Sequence, residues 1–126
     1  MTKREIIRLV HDTENPLIKA GENHNFNYIW IVVTGGRLFC RQYDLSERSW
    51  YSTFLNNPNG YIKCGDTIIK VNGVIPNDLN QINYNINKAY IEKYANRFNS
   101  LSHYAHEMTE ARFMEKTMEL RPIIEE

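Results

Sequence analysis

The sequence predicts a mainly β protein with helices (α+β), built as a small antiparallel β-barrel with helices packed on its ends and side. Apolar runs of strand length follow one another as hairpins, with Gly35-Gly36 and Gly65-Asp66 as the turns. Helical patterns flank these runs on both sides. Consecutive hairpins make an antiparallel sheet, and a sheet this small hides its edges best by closing on itself.

Size and composition point to one soluble domain spanning residues 1–126. Fifteen basic and fifteen acidic residues cancel to a net charge of zero, whereas a nucleic-acid-binding protein normally carries a basic excess. No apolar run approaches the roughly 20 residues that span a bilayer, and the first residues lack the core of a signal peptide. We therefore expect a cytoplasmic protein that contacts neither nucleic acid nor membrane.

The first part of the chain predicts a helix and a linker over residues 1–16. Thr2 and Glu5 have the spacing of a capping box, in which each side chain satisfies an amide at the helix start. Asn15-Pro16 ends the helix, because the residue before a proline is driven away from helical geometry.

Residues 17–76 predict the main strands and one intervening helix. Residues 17–20 fit a short edge strand. Residues 28–33 are apolar on both alternating faces, which indicates a central strand covered on both sides. After the glycine turn, residues 37–43 form the return strand.

The intervening helix follows the return strand, with Asp44 or Ser46 as its N-cap. Four aromatic and apolar side chains at helical spacing predict its buried face: Trp50, Tyr51, Phe54 and Leu55. A second hairpin then pairs residues 61–64 with residues 67–75.

Residues 78–98 predict the longest helix, with Asp78 as its N-cap. Its main apolar stripe comprises Leu79, Ile82, Ile86, Ala89 and Tyr90, and a narrower stripe nearly opposite comprises Tyr84, Ile91, Ala95 and Phe98. A helix that is apolar on two sides usually packs against two things, so we expect a partner subunit on the second stripe. A short helical turn capped by Thr109 and a final strand over residues 114–122 complete the chain.

The segment from Phe26 to Tyr51 brings a basic side chain, backbone amides and a predicted helix start together. Arg41 lies near the end of the return strand, and a guanidinium beside a helix start can hold a phosphate through paired hydrogen bonds. The alternative is an ion pair with a carboxylate such as Asp44 or Glu47. The sequence leaves both roles open.

Lys93 lies at the centre of the main apolar stripe of the long helix. With Tyr90 and Tyr94 it predicts a pocket where the helix meets the barrel. The alternative, which we favour, is a lysine whose stem covers apolar surface while its ammonium group stays in water.

Other reactive side chains predict little chemistry. Cys40 and Cys64 lie in apolar strand runs, which is typical of buried thiols. His103 and His106 have no fixed third ligand, although His24 is one option, so no metal site is predicted. No nucleophile-elbow or phosphate-loop signature is present, and the catalytic residues are unknown.

A series of short motifs runs in order from Trp30 to Pro122. The series comprises Trp30, Gly36-Arg37-Leu38-Phe39-Cys40-Arg41, Ser49-Trp50-Tyr51, Gly60, Ala89-Tyr90, Lys93-Tyr94, Thr117, Leu120 and Pro122. In this order and spacing the motifs resemble a family of small bacterial proteins, the domain of unknown function 2255 family. The resemblance implies a split β-barrel of the FMN-binding type.

The strand-to-helix portion is similar to that of split-barrel oxidoreductases that bind FMN or a deazaflavin at or beside a homodimer interface. In those relatives the phosphate of the cofactor meets the end of the return strand and the following helix. Carried over residue by residue, the resemblance implies that the phosphate meets Arg41, Gln42, Ser49 and Trp50, with Trp30 or Trp50 shaping the ring pocket. Arg48 is added on its charge alone.

Two functions follow from this resemblance. The first is a homodimeric oxidoreductase that uses FMN or a deazaflavin on a small oxidised organic substrate. The second is a non-catalytic split-barrel that binds a small ligand or a partner through the same cleft. The deazaflavin enzymes tend to carry glycines where this chain has Tyr43-Asp44-Leu45, and this departure favours the second function. The matches at Arg41 and Ser49-Trp50-Tyr51 favour the first.

Overall fold

The computed structural model describes residues 1–22, 25–43, 49–99 and 102–124. Within them one antiparallel sheet of seven strands is packed by five α-helices and a π-helical segment. The strands are β1 Leu17–Ala20, β2 Asn27–Tyr28, β3 Ile31–Thr34, β4 Arg37–Arg41, β5 Asn59–Cys64, β6 Thr67–Val74 and β7 Thr117–Pro122. The helices are α1 Lys3–Asp12, α2 Trp50–Asn56, α3 Leu79–Tyr90, α4 Ser102–Glu107 and α5 Ala111–Met114, with the π-helical segment at Ile91–Arg97.

The order of the strands shows that the sheet is curled. Neighbouring strands pair in the order β2-β1-β5-β6-β7-β4-β3, which places β2 and β3 at opposite ends. Only Ile29 and Trp30 separate these two strands in the chain. Because three peptide steps span at most roughly 11 Å, the two ends of the sheet must come together there. The sheet is therefore a half-barrel with its seam at Trp30, which confirms the predicted fold class.

The seam corrects two strand predictions. Residues 17–20 are an inner strand, because Ile18 pairs with Asn27 of β2 on one side and with Ile62 of β5 on the other. The predicted central strand is broken at Ile29 and Trp30, and its second half is the edge strand β3. The prediction that both faces are covered is correct at Ile31 and Val32 of β3, whereas Tyr28 of β2 is exposed.

Two hydrophobic clusters, one on each side of β3, form the core. The first joins α1, α2 and the concave part of the sheet, and includes Ile31 and Leu38. The second joins the long helix to β3 and β4, and includes Val32 and Phe39. Alternating side chains of one strand therefore face different clusters, as the period of a strand requires.

The intervening helix begins later than the sequence predicts. It starts at Trp50, and the N-cap is Ser49, whose hydroxyl accepts a hydrogen bond from the Ser52 amide. The predicted caps Asp44 and Ser46 lie outside the described residues. The capping box at Thr2 and Glu5 is confirmed in both of its hydrogen bonds.

The long helix changes its hydrogen-bonding pattern after Tyr90. The following segment is π-helical, and the Phe98 amide donates to the Lys93 carbonyl five residues earlier. Asp78 occupies the N-cap position but makes no side-chain cap bond, because its carboxylate is paired with the Arg37 guanidinium at 2.9 Å. None of the described helices is long and apolar enough to cross a bilayer.

The C-terminal segment differs from its prediction by one short helix. Residues up to Met114 are helical with Glu110 at the N-cap position, so the last strand starts at Thr117. Thr109 does not cap a helix, because its hydroxyl donates to the His106 carbonyl.

Close packing of Phe54 against β6 yields a test of the fold. A Cβ atom on Gly73 would lie 2.6 Å from two atoms of the Phe54 ring. We expect Gly73→Ala to lower the free energy of unfolding by about 1–3 kcal/mol, because the ring must move to admit the methyl group. Asn72→Ala, on the opposite face of β6, is the matched control and should change it by less than about 0.5 kcal/mol. Urea denaturation measures both, and equal stabilities would contradict this packing.

Candidate functional site

A cleft of about 860 Å³ opens along the seam of the half-barrel. Its walls come from β1, the link between β2 and β3, the end of β4 and one face of α2. Five of the six residues predicted to bind a cofactor line it: Trp30, Arg41, Gln42, Ser49 and Trp50. The sixth, Arg48, lies outside the described residues.

Aromatic side chains form one wall of the cleft. The Trp30 ring meets the Tyr43 ring edge to face, with 5.3 Å between centroids, and lies 5.2 Å from the Tyr104 ring. Tyr43 in turn stacks on Phe113 at 5.3 Å. Such packing restricts the rotation of Trp30 and holds its ring at a fixed angle to the cleft.

Arg41 has a structural role that the sequence does not reveal. Its side chain is only 1% exposed. Nε donates to the Thr117 hydroxyl at 3.1 Å, and one terminal nitrogen donates to the Met108 carbonyl at 2.7 Å and to the Asn87 side-chain oxygen. The other terminal nitrogen donates to the carbonyl and side-chain oxygens of Asn83 at 3.4 and 3.3 Å. All five N–H groups of the guanidinium are therefore used inside the protein.

The partners of Arg41 are neutral oxygens, and no carboxylate balances its charge among the described residues. Burial lowers the pKa of the guanidinium, and the Tyr90 ring, 5.6 Å from it, opposes that effect. Asp44 and Glu47, the carboxylates named for an ion pair, lie outside the described residues, and the described partners of Arg41 are groups of the protein itself.

Ser49 and Gln42 are joined to each other. The Ser49 hydroxyl donates to the side-chain oxygen of Gln42 at 3.1 Å and accepts from the Ser52 amide at 3.3 Å. The start of α2 is thus capped from within the chain.

Sequence reasoning missed a set of polar lining residues. These carry amide and hydroxyl groups: Asn25, Asn27, Ser52, Thr53 and Asn56. Three of them follow Ser49 at intervals of three, four and seven residues, which is the spacing of one helix face. That spacing could have shown from the sequence that these three residues share a helix face with Ser49. Asn25 and Asn27 gave no such signal, because they reach the cleft only through the pairing of β2 with β1.

Lys93, Tyr94 and Tyr90 lie in the core between the long helix and β3. The Lys93 ammonium is buried and donates to the carbonyls of Val10 at 3.0 Å and Ile31 at 2.7 Å. The expectation that this ammonium lies in water is therefore wrong. Tyr90 donates from its hydroxyl to the Trp30 carbonyl at 2.7 Å and accepts from the Arg41 amide at 2.9 Å.

The cysteine and histidine side chains of the described residues show no arrangement for catalysis or metal binding. Cys40 and Cys64 are buried and free, and burial raises the pKa of both thiols. Within the described ranges, no group of three His, Cys, Asp or Glu side chains could hold a metal ion. His24 lies outside those ranges.

Solved structures share the fold. A conserved hypothetical protein from Mycobacterium tuberculosis superposes with a TM-score of 0.56 and 14% identity, over 100% of this chain and 82% of that one. A putative pyridoxamine 5'-phosphate oxidase from Listeria innocua superposes with a TM-score of 0.57 and 9% identity, over 98% of this chain and 94% of that one. The likeness is one of fold, and it places this chain among the split-barrel proteins.

Residues 14–120 match the family described as "Uncharacterized protein conserved in bacteria (DUF2255)", and the chain belongs to that family. The resemblance drawn from the motifs between Trp30 and Pro122 is thereby confirmed. No curated protein matches the chain.

The Arg41 network predicts a large effect on stability. Replacing Arg41 with Met leaves the oxygens of Asn83, Asn87, Met108 and Thr117 without their donor. We expect the free energy of unfolding to fall by more than about 3 kcal/mol. Arg112→Met, at an exposed arginine, is the control and should cost less than about 1 kcal/mol. Urea denaturation measures the free energy of unfolding of both variants. Equal losses for Arg41→Met and Arg112→Met would show that Arg41 does not organise the fold.

Lys93 predicts a pH-dependent stability. Burial, followed by the charge of Arg97, lowers the pKa of Lys93 from 10.5 to about 7, while Cys64 and Asp12 act in the opposite direction. Above the lowered pKa the unfolded chain binds more protons than the folded one, so this group makes stability rise with pH from about 7 towards 10.5. Lys93→Met should flatten that rise.

The measurement compares urea denaturation of the two proteins between pH 7 and about pH 8.5, below the range in which most tyrosines titrate. The cysteine and tyrosine contributions are shared by both proteins and cancel in the difference. Parallel curves for wild type and Lys93→Met would contradict a buried ammonium at this position.

Proposed function

We propose that the seam cleft binds the ring of a flavin or deazaflavin and that the protein is an oxidoreductase acting on a small organic substrate. One observation carries this proposal: Trp30 and Trp50 line a single cleft together with amide and hydroxyl side chains. The cleft volume of about 860 Å³ falls in the range of small-molecule sites, which are mostly apolar with a few polar groups.

The residues present fit the ring portion of such a cofactor. Trp30, held by Tyr43 and Tyr104, offers a flat apolar surface to a planar heterocycle. The amides of Asn25 and Asn27 carry both donors and acceptors, which suit the carbonyl and N–H groups at the edge of an isoalloxazine ring. When bound, the flavin supplies hydride transfer, and the protein supplies position and electrostatics.

The similarity of this fold to that of a solved oxidase structure supports the proposal of an oxidoreductase. The Listeria innocua structure with which this chain superposes is described as an oxidase. A split barrel in which the cofactor performs the chemistry needs no conspicuous catalytic side chain.

A specific observation favours the second function, a non-catalytic binding module. The described residues that line the cleft include no Asp, Glu, His, Lys or Cys. General acid or base catalysis by those side chains is therefore absent from the described part of the cleft. A module that binds an aromatic ligand without transforming it has the same lining.

The homodimer stays a prediction. The prediction was based on the second apolar stripe of the long helix, which was expected to contact a partner subunit. Two residues of that stripe, Ile91 and Ala95, pack in the second core cluster of the same chain instead. Tyr84, which is 68% exposed, remains on the surface. Light scattering at micromolar concentration measures the mass directly, and a monomer would remove this part of the proposal.

The flavin proposal predicts binding that depends on Trp30. We expect the purified protein to bind FMN, riboflavin or a deazaflavin with quenching of the ligand's fluorescence by the stacked indole. Trp30→Leu should weaken binding at least about fivefold, because a stacking surface is lost. Tyr84→Leu, at an exposed tyrosine of α3, is the control and should bind as wild type does.

Fluorescence titration and thermal shift together test this prediction. A colourless protein whose melting temperature and fluorescence are indifferent to FMN, FAD, riboflavin and a deazaflavin would exclude the oxidoreductase and leave the binding module.

A further inference from the structure

We infer that the seam cleft selects an uncharged ligand, a planar ring with a hydroxylated side chain such as riboflavin, over its phosphorylated form. This inference rests on the proposed function, because it names the ligand class of the same cleft. It departs from the expectation, drawn from the resemblance, that Arg41, Gln42 and Ser49 meet a phosphate.

Arg41, the cation expected to hold a phosphate, has no N–H donor left for a phosphate oxygen. The five N–H groups of Arg41 are directed to Thr117, Asn87, Met108 and Asn83. A phosphate gives up its hydration on binding and needs N–H donors aimed at its oxygens in return. The charge of Arg41 acts on the cleft only through space, and Arg41 is the one charged residue in the described lining.

The side-chain cap at the start of α2 is also bonded within the chain. The Ser52 amide donates to the Ser49 hydroxyl, and the Ser49 proton goes to the Gln42 side-chain oxygen. Thr53 donates its hydroxyl proton to the Ser49 carbonyl at 3.2 Å. A phosphate that took the Ser49 hydroxyl or the Ser52 amide would have to break a bond that the chain already makes.

The polar groups of the cleft favour hydroxyl donors instead. The amide nitrogen of Asn27 donates to the Asn25 carbonyl at 3.2 Å, and that of Asn56 donates to the Ser52 carbonyl at 3.3 Å. The side-chain oxygens of these two asparagines are acceptors. Each amide also carries a second N–H, so it can both accept from and donate to a ligand hydroxyl, whereas it offers a phosphate only a neutral donor beside a repelling oxygen.

The experiment is a fluorescence titration of the full chain with lumiflavin, riboflavin and FMN at one pH and one ionic strength. These ligands share a ring and differ in the side chain: none, a hydroxylated chain, and the same chain with a phosphate. We expect riboflavin to bind at least about fivefold more tightly than FMN, and lumiflavin to bind about tenfold more weakly than riboflavin. Asn56→Leu should weaken riboflavin about fivefold and leave lumiflavin unchanged. Asn80→Leu, at an exposed asparagine of α3, is the control.

The outcomes separate the two proposals. FMN binding as tightly as riboflavin, or more tightly, would overturn the selection of an uncharged ligand and leave the flavin function standing. If Arg48→Ala then removed that preference, Arg48 would be the phosphate anchor. Failure of all three ligands to bind would overturn both proposals together.

Discussion

The burial of one arginine is the constraint on which the rest of the structure depends. A guanidinium removed from water must find an acceptor for each of its N–H groups, because an unpaired buried donor costs about 1–3 kcal/mol. Arg41 finds them on three separate segments: Asn83 and Asn87 of α3, the Met108 carbonyl after α4, and the Thr117 hydroxyl at the start of β7. Satisfying one side chain therefore fixes the long helix and the C-terminal segment against the end of β4.

The same part of the core fixes the seam of the half-barrel. Tyr90 links the Arg41 amide to the Trp30 carbonyl, and Lys93, one turn later, binds the Ile31 carbonyl. Two consecutive carbonyls at the seam are thus held by side chains of the long helix. The π-helical segment contains Lys93, and insertions of this kind are frequent at functional sites. Because these bonds hold the backbone of Trp30, a residue of the cleft wall, the cleft is preorganised. Little of its backbone then needs to be ordered when a ligand binds.

Local signals explain which parts of the fold were predictable. Glycine turns, alternating apolar runs and the capping box at Thr2 act over a few residues, and the hairpins and first helix follow from them. The break at Ile29 and Trp30 leaves no such signal, because both residues are good strand formers. The role of Arg41 was hidden for another reason: its partners Asn83 and Thr117 lie 42 and 76 residues away, and asparagine is common throughout the chain.

The direction of Arg41 illustrates what the fold determines about the cleft and what it leaves to individual side chains. The half-barrel determines where the seam lies and which strand ends meet there, and the fold is shared with solved structures at 9–14% identity. It does not determine whether an arginine at the end of β4 faces a ligand or the protein. That choice belongs to the long helix, where Asn83 and Asn87 present oxygens to the guanidinium. Apolar residues at those two positions would leave Arg41 in need of acceptors, and an anion in the cleft is the natural source. The asparagines of one helix therefore decide whether this guanidinium is directed to the protein or left free for the cleft, in which they take no direct part.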